Sequence, residues 1–406
     1  MHRRVNIIHV SPSYKPAYVY GGPTMSVSEL CEQVQRFSAN ISVSVLTTTA
    51  NGETELPVIP GNRMNIEGIL VTYFKRITRD HSHFSPTLIK SLYRCLTRRP
   101  EQSLVHIHAW WNLSSILGCA IAIIKDTPVL LTPRGTLSSY SFNNRTSLTK
   151  KAFHLLIGKI LLRKCHFHVT SEKEKQDILR LVNPRSITVI PNFVRFPKND
   201  FDIQQSRFED FTAHRGAQHS APPVHLAVSS APVRLIFLSR IEEKKGLDVL
   251  LKALSIYKHP WTLSIVGEGK PEYVQGLKAI ARELRIHNNV NWVGHLGNDE
   301  KFSVLESHDL LVLPSYDENF ANVVIESIAM GTPVLISHKV GLADYVQEHN
   351  LGIICGHDPV SIRDSLNKFI HSGTQFNRQH LKDRITRDFN ESRLARKYIK
   401  LYKSLI

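Results

Sequence analysis

The chain has 406 residues, 42% of them hydrophobic, which is enough for two domains with separate cores. Its longest unbroken apolar run, Ile116 to Ile124, is about half of a spanning helix, so no transmembrane segment is expected. A net charge of +16 asks for an anionic partner, and nucleic acid, lipid headgroups and a nucleotide substrate all qualify.

Asn6 to Val10 reads as a first strand, because it is too short and too polar for a signal peptide. A polar loop carrying Gly21 and Gly22, a helix from Thr24 to Phe37 and a strand from Ile41 to Thr47 follow, a unit of the dinucleotide-fold type. The full G-x-G-x-x-G spacing is absent, which argues against a nicotinamide cofactor. The alternation continues through strand Ile69 to Phe74, helix Ser85 to Thr97, strand Leu104 to His108, helix Leu113 to Lys125 and strand Val129 to Thr132. His106 and His108 alternate on one strand and share a face, but no third ligand stands at a spacing that suggests a metal. His106 suits a packed histidine. His108 ends its strand at the carboxyl edge, where chemistry is expected. Arg134 closes the next strand and is either a surface charge or a cation for a phosphate.

Between Thr127 and Ser171 there is no acid, while Arg134, Arg145, Lys150, Lys151, Lys159, Arg163 and Lys164 all fall there. Arg145 to Lys164 is a basic apolar helix. It reads either as half core and half solvated face or as a segment that lies on an anionic membrane surface. Strand Phe167 to Thr170, helix Ser171 to Val182 and strand Ile187 to Ile190 complete a first domain over residues 1–195. Residues 196–232 are polar and proline-rich and read as a partly disordered connection, in which Asp200 and Asp202 are solvated acids. The five cysteines are scattered and suit free buried thiols in a reducing cytoplasm.

A second alternating series occupies residues 233–390. It runs from strand Arg234 to Leu238 through helix Gly246 to Tyr257, strand Leu263 to Val266, helix Pro271 to Arg285 and strand Asn291 to Val293 to a short helix ending at Glu306. Arg240 and Lys245 leave its first strand together, a better anion site than either cation alone. The apolar strand Leu310 to Leu313, the loop Tyr316 to Asn322, a helix stopped by Gly331 and Pro333, and the strand Val334 to Ile336 come next. Glu318 lies in that loop and Glu326 eight residues on. Helices near Pro359 to Ile370 and Ser392 to Leu405 end the chain, the last one assigned to residues 391–406.

The stretch from Leu310 to Ile336, the pattern Ser239-Arg240 to Gly246-Leu247-Asp248, the string HIHAWWN at His106 and the Pro133-Arg134-Gly135 turn resemble the family 4 retaining glycosyltransferases. The resemblance implies a GT-B fold, two Rossmann-like β/α/β domains facing each other across a cleft, with the final helix crossing back to the first. It implies that Arg240 and Lys245 clamp the donor diphosphate, that Glu326 holds the ribose, and that Glu318 with the amides of Phe320, Ala321 and Asn322 holds the sugar. Gly294 and His295 would pass along the base, Gly22 would approach the diphosphate, and His108 would face the donor sugar. Gly21 and Arg134 belong to the acceptor side. No metal or other cofactor is implied beyond the nucleoside-diphosphate sugar. Ala109 and Asn319 depart from the family, each standing where glycine is usual.

The expected function is therefore metal-independent, retaining transfer of a hexosyl unit to a glycan or polyprenyl-linked acceptor in surface polysaccharide synthesis, with no nucleic-acid partner. The place is the cytoplasm, or the inner face of the plasma membrane. Two alternatives stand: a transferase acting on soluble sugars or sugar phosphates, and a non-catalytic basic protein that binds membrane or nucleic acid.

Overall fold

The structure, a computed structural model, describes residues 5–98, 102–143, 147–197, 231–297, 300–371 and 376–406. Arg145, Asp200, Asp202 and most of the 196–232 connection lie outside them. The chain divides into two compact units, Met1–Phe193 together with Glu391–Ile406, and Val194–Asn390.

The first unit runs β1 (Val5–Ser11), α1 (Gly22–Phe37), β2 (Ile41–Thr48), β3 (Ala50–Asn51), β4 (Thr54–Glu55), β5 (Arg63–Ile66), β6 (Ile69–Phe74), α2 (Pro86–Arg98), β7 (Ser103–His108), α3 (Leu113–Ile124) and β8 (Val129–Thr132). It continues through α4 (Ser139–Asn143), α5 (Ser147–Phe153), a π turn (His154–Gly158), α6 (Lys159–Arg163), β9 (His166–Val169), α7 (Glu172–Leu181) and β10 (Ser186–Val189). Apart from β3 and β4, which pair with each other, the described strands form an eight-stranded sheet in the order β10-β9-β8-β7-β1-β2-β6-β5, parallel except for the β5–β6 pair at one edge. Helix period and strand alternation explain which face each residue takes. Val10, Ile107 and Leu131 point to a core shared with Leu92 of α2, Cys119 of α3 and Leu162 of α6. His9, His106 and His108 alternate to the opposite face, where His9 and His106 meet Tyr402 and His108 bonds to His9.

The second unit runs β11 (Val233–Leu238), α8 (Leu247–Ser255), β12 (Trp261–Val266), α9 (Pro271–Glu283), β13 (Val290–Gly294), α10 (Glu300–Glu306), β14 (Leu310–Leu313), α11 (Asn322–Ala329), β15 (Val334–Ser337), α12 (Ala343–Glu348), β16 (Gly352–Cys355), α13 (Pro359–His371) and α14 (Arg378–Asp388). Its sheet is parallel throughout, in the order β13-β12-β11-β14-β15-β16. Leu310 to Leu313 and Val334 to Ser337 are fully buried, as strands covered on both faces must be. The last helix, α15 (Glu391–Leu405), belongs to the first unit, where Leu394, Ala395, Tyr398 and Tyr402 recur at helical spacing and are buried.

Three details differ from the reading of the sequence. The basic helix expected from Arg145 to Lys164 is interrupted by the π turn, whose extra residue rotates the apolar stripe so that Leu155, Leu156 and Ile157 face outward while Leu162 stays buried. The unit boundary falls at Phe193, because Phe193 stacks on Tyr398 within the first unit. Elements β16, α12 and α14 were not foreseen between Ile336 and the final helix.

Candidate functional site

In an open parallel sheet the two chains that leave adjacent strands in opposite directions open a crevice at the strands' carboxyl ends. In the second unit that point lies between β11 and β14, the central pair of its sheet. The loop after β11 carries Arg240, Lys244 and Lys245, and the loop after β14 carries Glu318.

Glycine makes the approach of these loops possible. Gly246 has φ +71°, and a Cβ there would stand 2.3 Å from the carbonyl oxygen of Pro314, so only glycine brings the Lys245 loop down onto the end of β14. The result is an ion pair between the Lys245 ammonium and the Glu318 carboxylate. Lys245 is buried. The Glu318 backbone is fixed as well, its N–H donating to the carbonyl of Lys339 and its carbonyl accepting from Gly341. Loss of water alone would raise the Glu318 pKa, but Lys245, Lys244 and Arg240 outweigh it and hold the carboxyl below the ordinary carboxylate range. Burial pulls the Lys244 ammonium down. Arg240 is half exposed and paired with Glu242 at 2.7 Å.

Glu326 lies in α11, buried, and pairs with Lys301 of α10 at 2.8 Å. Ala321 takes φ +67° at the N-cap of α11, a left-handed residue that turns the chain into the helix. The side chain of Phe320 packs on Phe389 and is buried, which leaves its backbone amide as the group available to a ligand. Gly294 ends β13 with φ +82°, and its carbonyl accepts from Gly267; His295, just beyond, is exposed.

In the first unit the corresponding point lies between β1 and β7. Gly21, with φ +63°, and Gly22 begin α1 after β1, and a Cβ at either would meet nothing. His108 ends β7, and Ala109 follows it with φ +64°, so the left-handed turn that glycine usually provides is made here by alanine. His108 is 1% exposed. Arg134 Nε donates to its Nδ1 at 3.4 Å, and Nη1 of Arg134 donates to Asn192 at 3.2 Å. A neutral imidazole that accepts at Nδ1 carries its proton on Nε2, so His108 donates to His9 Nδ1 at 2.8 Å. His9 Nε2 then bears a buried N–H without a partner among the described residues. His106 is satisfied on both sides, by Tyr402 at 2.9 Å and Thr132 at 2.7 Å, and Thr132 passes the chain to His168 at 2.8 Å. Burial, reinforced by Arg134, lowers these imidazole pKa values, to about 3 for His9, and far below the usual value for His106 and His108.

Sequence reasoning missed His9, Lys244 and Lys301. His9 is a third imidazole beside His106 and His108, supplied by a neighbouring strand rather than by local spacing, and the ligand nitrogens of the three lie within 4.8 Å of one another. Their chemistry is that of a hydrogen-bonded chain: both nitrogens of His106 are occupied, His9 and His108 share a proton, and the Arg134 guanidinium opposes a second cation. Alternation of His9 with Ile8 and Val10 placed it on the histidine face, and the β1–β7 pairing was the missing step.

Known proteins resemble the chain along nearly its whole length. The family description Glycosyltransferase Family 4 matches residues 20–196, and Glycosyl transferases group 1 matches residues 226–387. The chain is 25% identical over 312 residues to a glycogen synthase of Mycobacterium tuberculosis, covering 75% of this chain and 69% of that one. It is 25% identical over 386 residues to a D-inositol 3-phosphate glycosyltransferase of Corynebacterium jeikeium, covering 89% and 87%. Among solved structures, a sucrose-phosphate synthase of Thermosynechococcus elongatus superposes with a TM-score of 0.71 at 18% identity over 99% of both chains. HepE of Anabaena, in complex with UDP and glucose, superposes with 0.70 at 16% identity over 99% of this chain and 100% of that one.

Proposed function

Because the chain belongs to the family 4, group 1 glycosyltransferases, we propose that it moves a hexosyl unit from a nucleoside-diphosphate sugar to a glycan or lipid-linked acceptor, with retention at the anomeric carbon. The observation that carries this reading is the convergence of Arg240, Lys244 and Lys245 with Glu318 at the switch point of the second sheet. Three cations against two carboxylates, Glu318 and the Glu242 that pairs with Arg240, leave an excess of positive charge that suits a ligand bringing negative charge of its own. The HepE structure, which holds UDP and glucose, supports a nucleotide sugar in that role.

As the anomeric C–O bond breaks, negative charge builds on the departing diphosphate oxygen, and fixed cations there favour the transition state over the ground state. Lys245 is held in place before the ligand arrives, so little reorganisation is needed. Glu326 is assigned to the ribose hydroxyls, and Glu318 to the sugar. Because Glu318 is engaged by Lys245, it is not a free nucleophile for a covalent intermediate. The acceptor oxygen therefore attacks on the face the leaving group departs from, forms the new C–O bond, and yields its proton to a diphosphate oxygen. This reading asks for no metal. The acceptor side is assigned to the first unit, through Gly21 and Arg134.

A lipid-linked acceptor in surface polysaccharide synthesis, met at the cytoplasmic face of a membrane, is favoured over a soluble sugar phosphate by one feature. Leu148, Leu155, Leu156 and Ile160 are each more than half exposed on the α5–α6 segment, beside Lys151, Arg163 and Lys164. No helix among the described residues is long and apolar enough to cross a membrane, so such contact is peripheral.

A screen of UDP- and GDP-sugars, read by thermal protection and by slow release of nucleotide with chelator present, tests the proposal. One donor should both raise the melting temperature and be hydrolysed. Tight, salt-sensitive DNA binding with no donor effect would instead leave a basic binding protein.

A further inference from the structure

On the face of the first unit that carries α2, α3 and α6, an open apolar groove of about 370 Å³ lies between α2 and α3. We propose that this groove receives a long hydrocarbon chain from the bilayer, so that the membrane-docking face runs from α5–α6 across α3 to α2. The inference rests on the membrane reading above and gives the lipid a place on the protein.

Phe84, Ile89, Tyr93, Leu117 and Ile121 line the groove, and Lys90 supplies its charged group. Phe84 and Leu117 stand near the N-termini of α2 and α3, the edge of the sheet at which β7 delivers His108. Tyr93 and Ile121 lie further along the helices. A chain lying in the groove would thus have one end toward the edge of the sheet where His108 and Arg134 meet. Other large apolar side chains of this unit are left in water as well, with Ile124 of α3 74% exposed and Leu155 and Leu156 of the π turn at 70% and 72%. Exposed apolar groups in this number, beside an apolar groove, suit an interaction site.

Charge identifies the occupant. Lys90 and Arg94 of α2 are exposed, as are Lys151, Arg163 and Lys164 of the α5–α6 segment, and the sequence has no acid between Thr127 and Ser171. Lys125 lies over the Tyr93 ring at 4.1 Å, at the margin of the groove. A ligand that matches both features has an anionic head and a hydrocarbon tail. Nucleic acid would satisfy the cations but leave the groove, Ile124 and Leu156 against water.

Two measurements on the full chain separate the groove from the membrane patch. The first is uptake of the fluorescent fatty acid cis-parinaric acid in solution. The second is flotation with phosphatidylglycerol–phosphatidylcholine vesicles, compared with phosphatidylcholine alone. Wild type should take up the probe and float only with the anionic vesicles. Leu117→Trp and Ile89→Trp, both at half-buried positions, should each weaken probe uptake roughly tenfold or more while nucleotide release from the donor sugar stays unchanged. Leu155→Ser with Leu156→Ser should lose flotation by a similar factor and keep probe uptake. Undiminished uptake in both groove variants overturns the groove. Probe uptake by a wild type that does not float overturns the docking face, whatever the donor assay shows. Phosphatidylglycerol should displace the probe at lower concentration than a polyprenyl phosphate does; the reverse order overturns the assignment of the groove to bilayer lipid.

Discussion

The Lys245 ammonium reaches across the switch point of the second sheet to the Glu318 carboxylate, joining the loop after β11 to the loop after β14. Removing Lys245 breaks the direct ion pair and leaves the shielded Glu318 carboxylate with the weaker support of Lys244 and Arg240. Lys245→Met should therefore cost roughly 2–3 kcal/mol of stability and abolish donor binding together. Glu318→Gln behaves differently. It frees Lys245 from its direct counter-ion and removes one negative charge beside Lys244 and Arg240, so UDP or GDP alone should bind at least as tightly as to wild type, while sugar transfer falls ~100-fold. Calorimetric titration of the nucleotide beside single-turnover kinetics separates the two. Weaker nucleotide binding in Glu318→Gln would contradict the division of labour between cations and carboxylate.

Arg240 contributes nothing comparable to the fold. Its side chain is 49% exposed and paired with Glu242, an arrangement in which salt and water absorb most of the interaction. Arg240→Ala should keep the melting temperature of wild type within about a degree and lower turnover by ~100-fold or more. A normal rate would remove Arg240 from the diphosphate clamp.

The parallel sheets were legible because strands buried on both faces are apolar without interruption, as in Leu310 to Leu313, and because Gly246 and Pro333 punctuate the helices. Lys245 and Glu318 could be proposed as neighbours from the resemblance, and the packing of Gly246 on Pro314 is the physical reason they meet. What sequence could not supply was pairing between distant strands. His9 and His108 stand 99 residues apart, and no local period connects them until β1 lies beside β7. The π turn at His154 escaped for a related reason: its apolar residues fit a continuous helix, and only the exposure of Leu155 and Leu156 shows the slip. His106, read as a packed histidine, is found buried with both nitrogens satisfied.

Glu326 is buried, and its partner is Lys301 at 2.8 Å. Glu326→Gln removes the charge and keeps the shape, so the Lys301 ammonium loses its counter-ion while an amide oxygen still accepts. The expected result is a KM for donor raised roughly tenfold with kcat changed less, because the ribose is bound alike in ground and transition states. Lys301→Met should show the same KM effect more weakly. If kcat falls and KM does not, Glu326 acts on the reacting sugar and not on the ribose.

Acid should unfold the first unit earlier than carboxylate protonation alone requires. His9 and His168 are pulled down to about 3 by burial. His106 and His108 lie well below their ordinary value for the same reason, and His83 at about 4 adds to them. For a base whose folded pKa is depressed, the unfolded chain binds the proton first. Its contribution to stability is complete above the ordinary histidine pKa of about 6.5 and declines as pH falls toward the folded value, by about 1.4 kcal/mol per pH unit for each ring. Glu32 acts in the opposite sense. Burial pushes it up to about 7 against the pull of Lys15, so its neutral form favours the folded chain as pH falls and offsets about one ring. Between pH 6.5 and 5.5 the net loss should be roughly 4 kcal/mol, seen as a steep drop in the urea midpoint. His168→Asn should remove about one proton from that slope. A midpoint that stays level from pH 7.5 to 5 would mean that the imidazoles facing Tyr398 and Tyr402 are not held neutral, and the hydrogen-bonded chain from His9 to His168 would have to be redrawn.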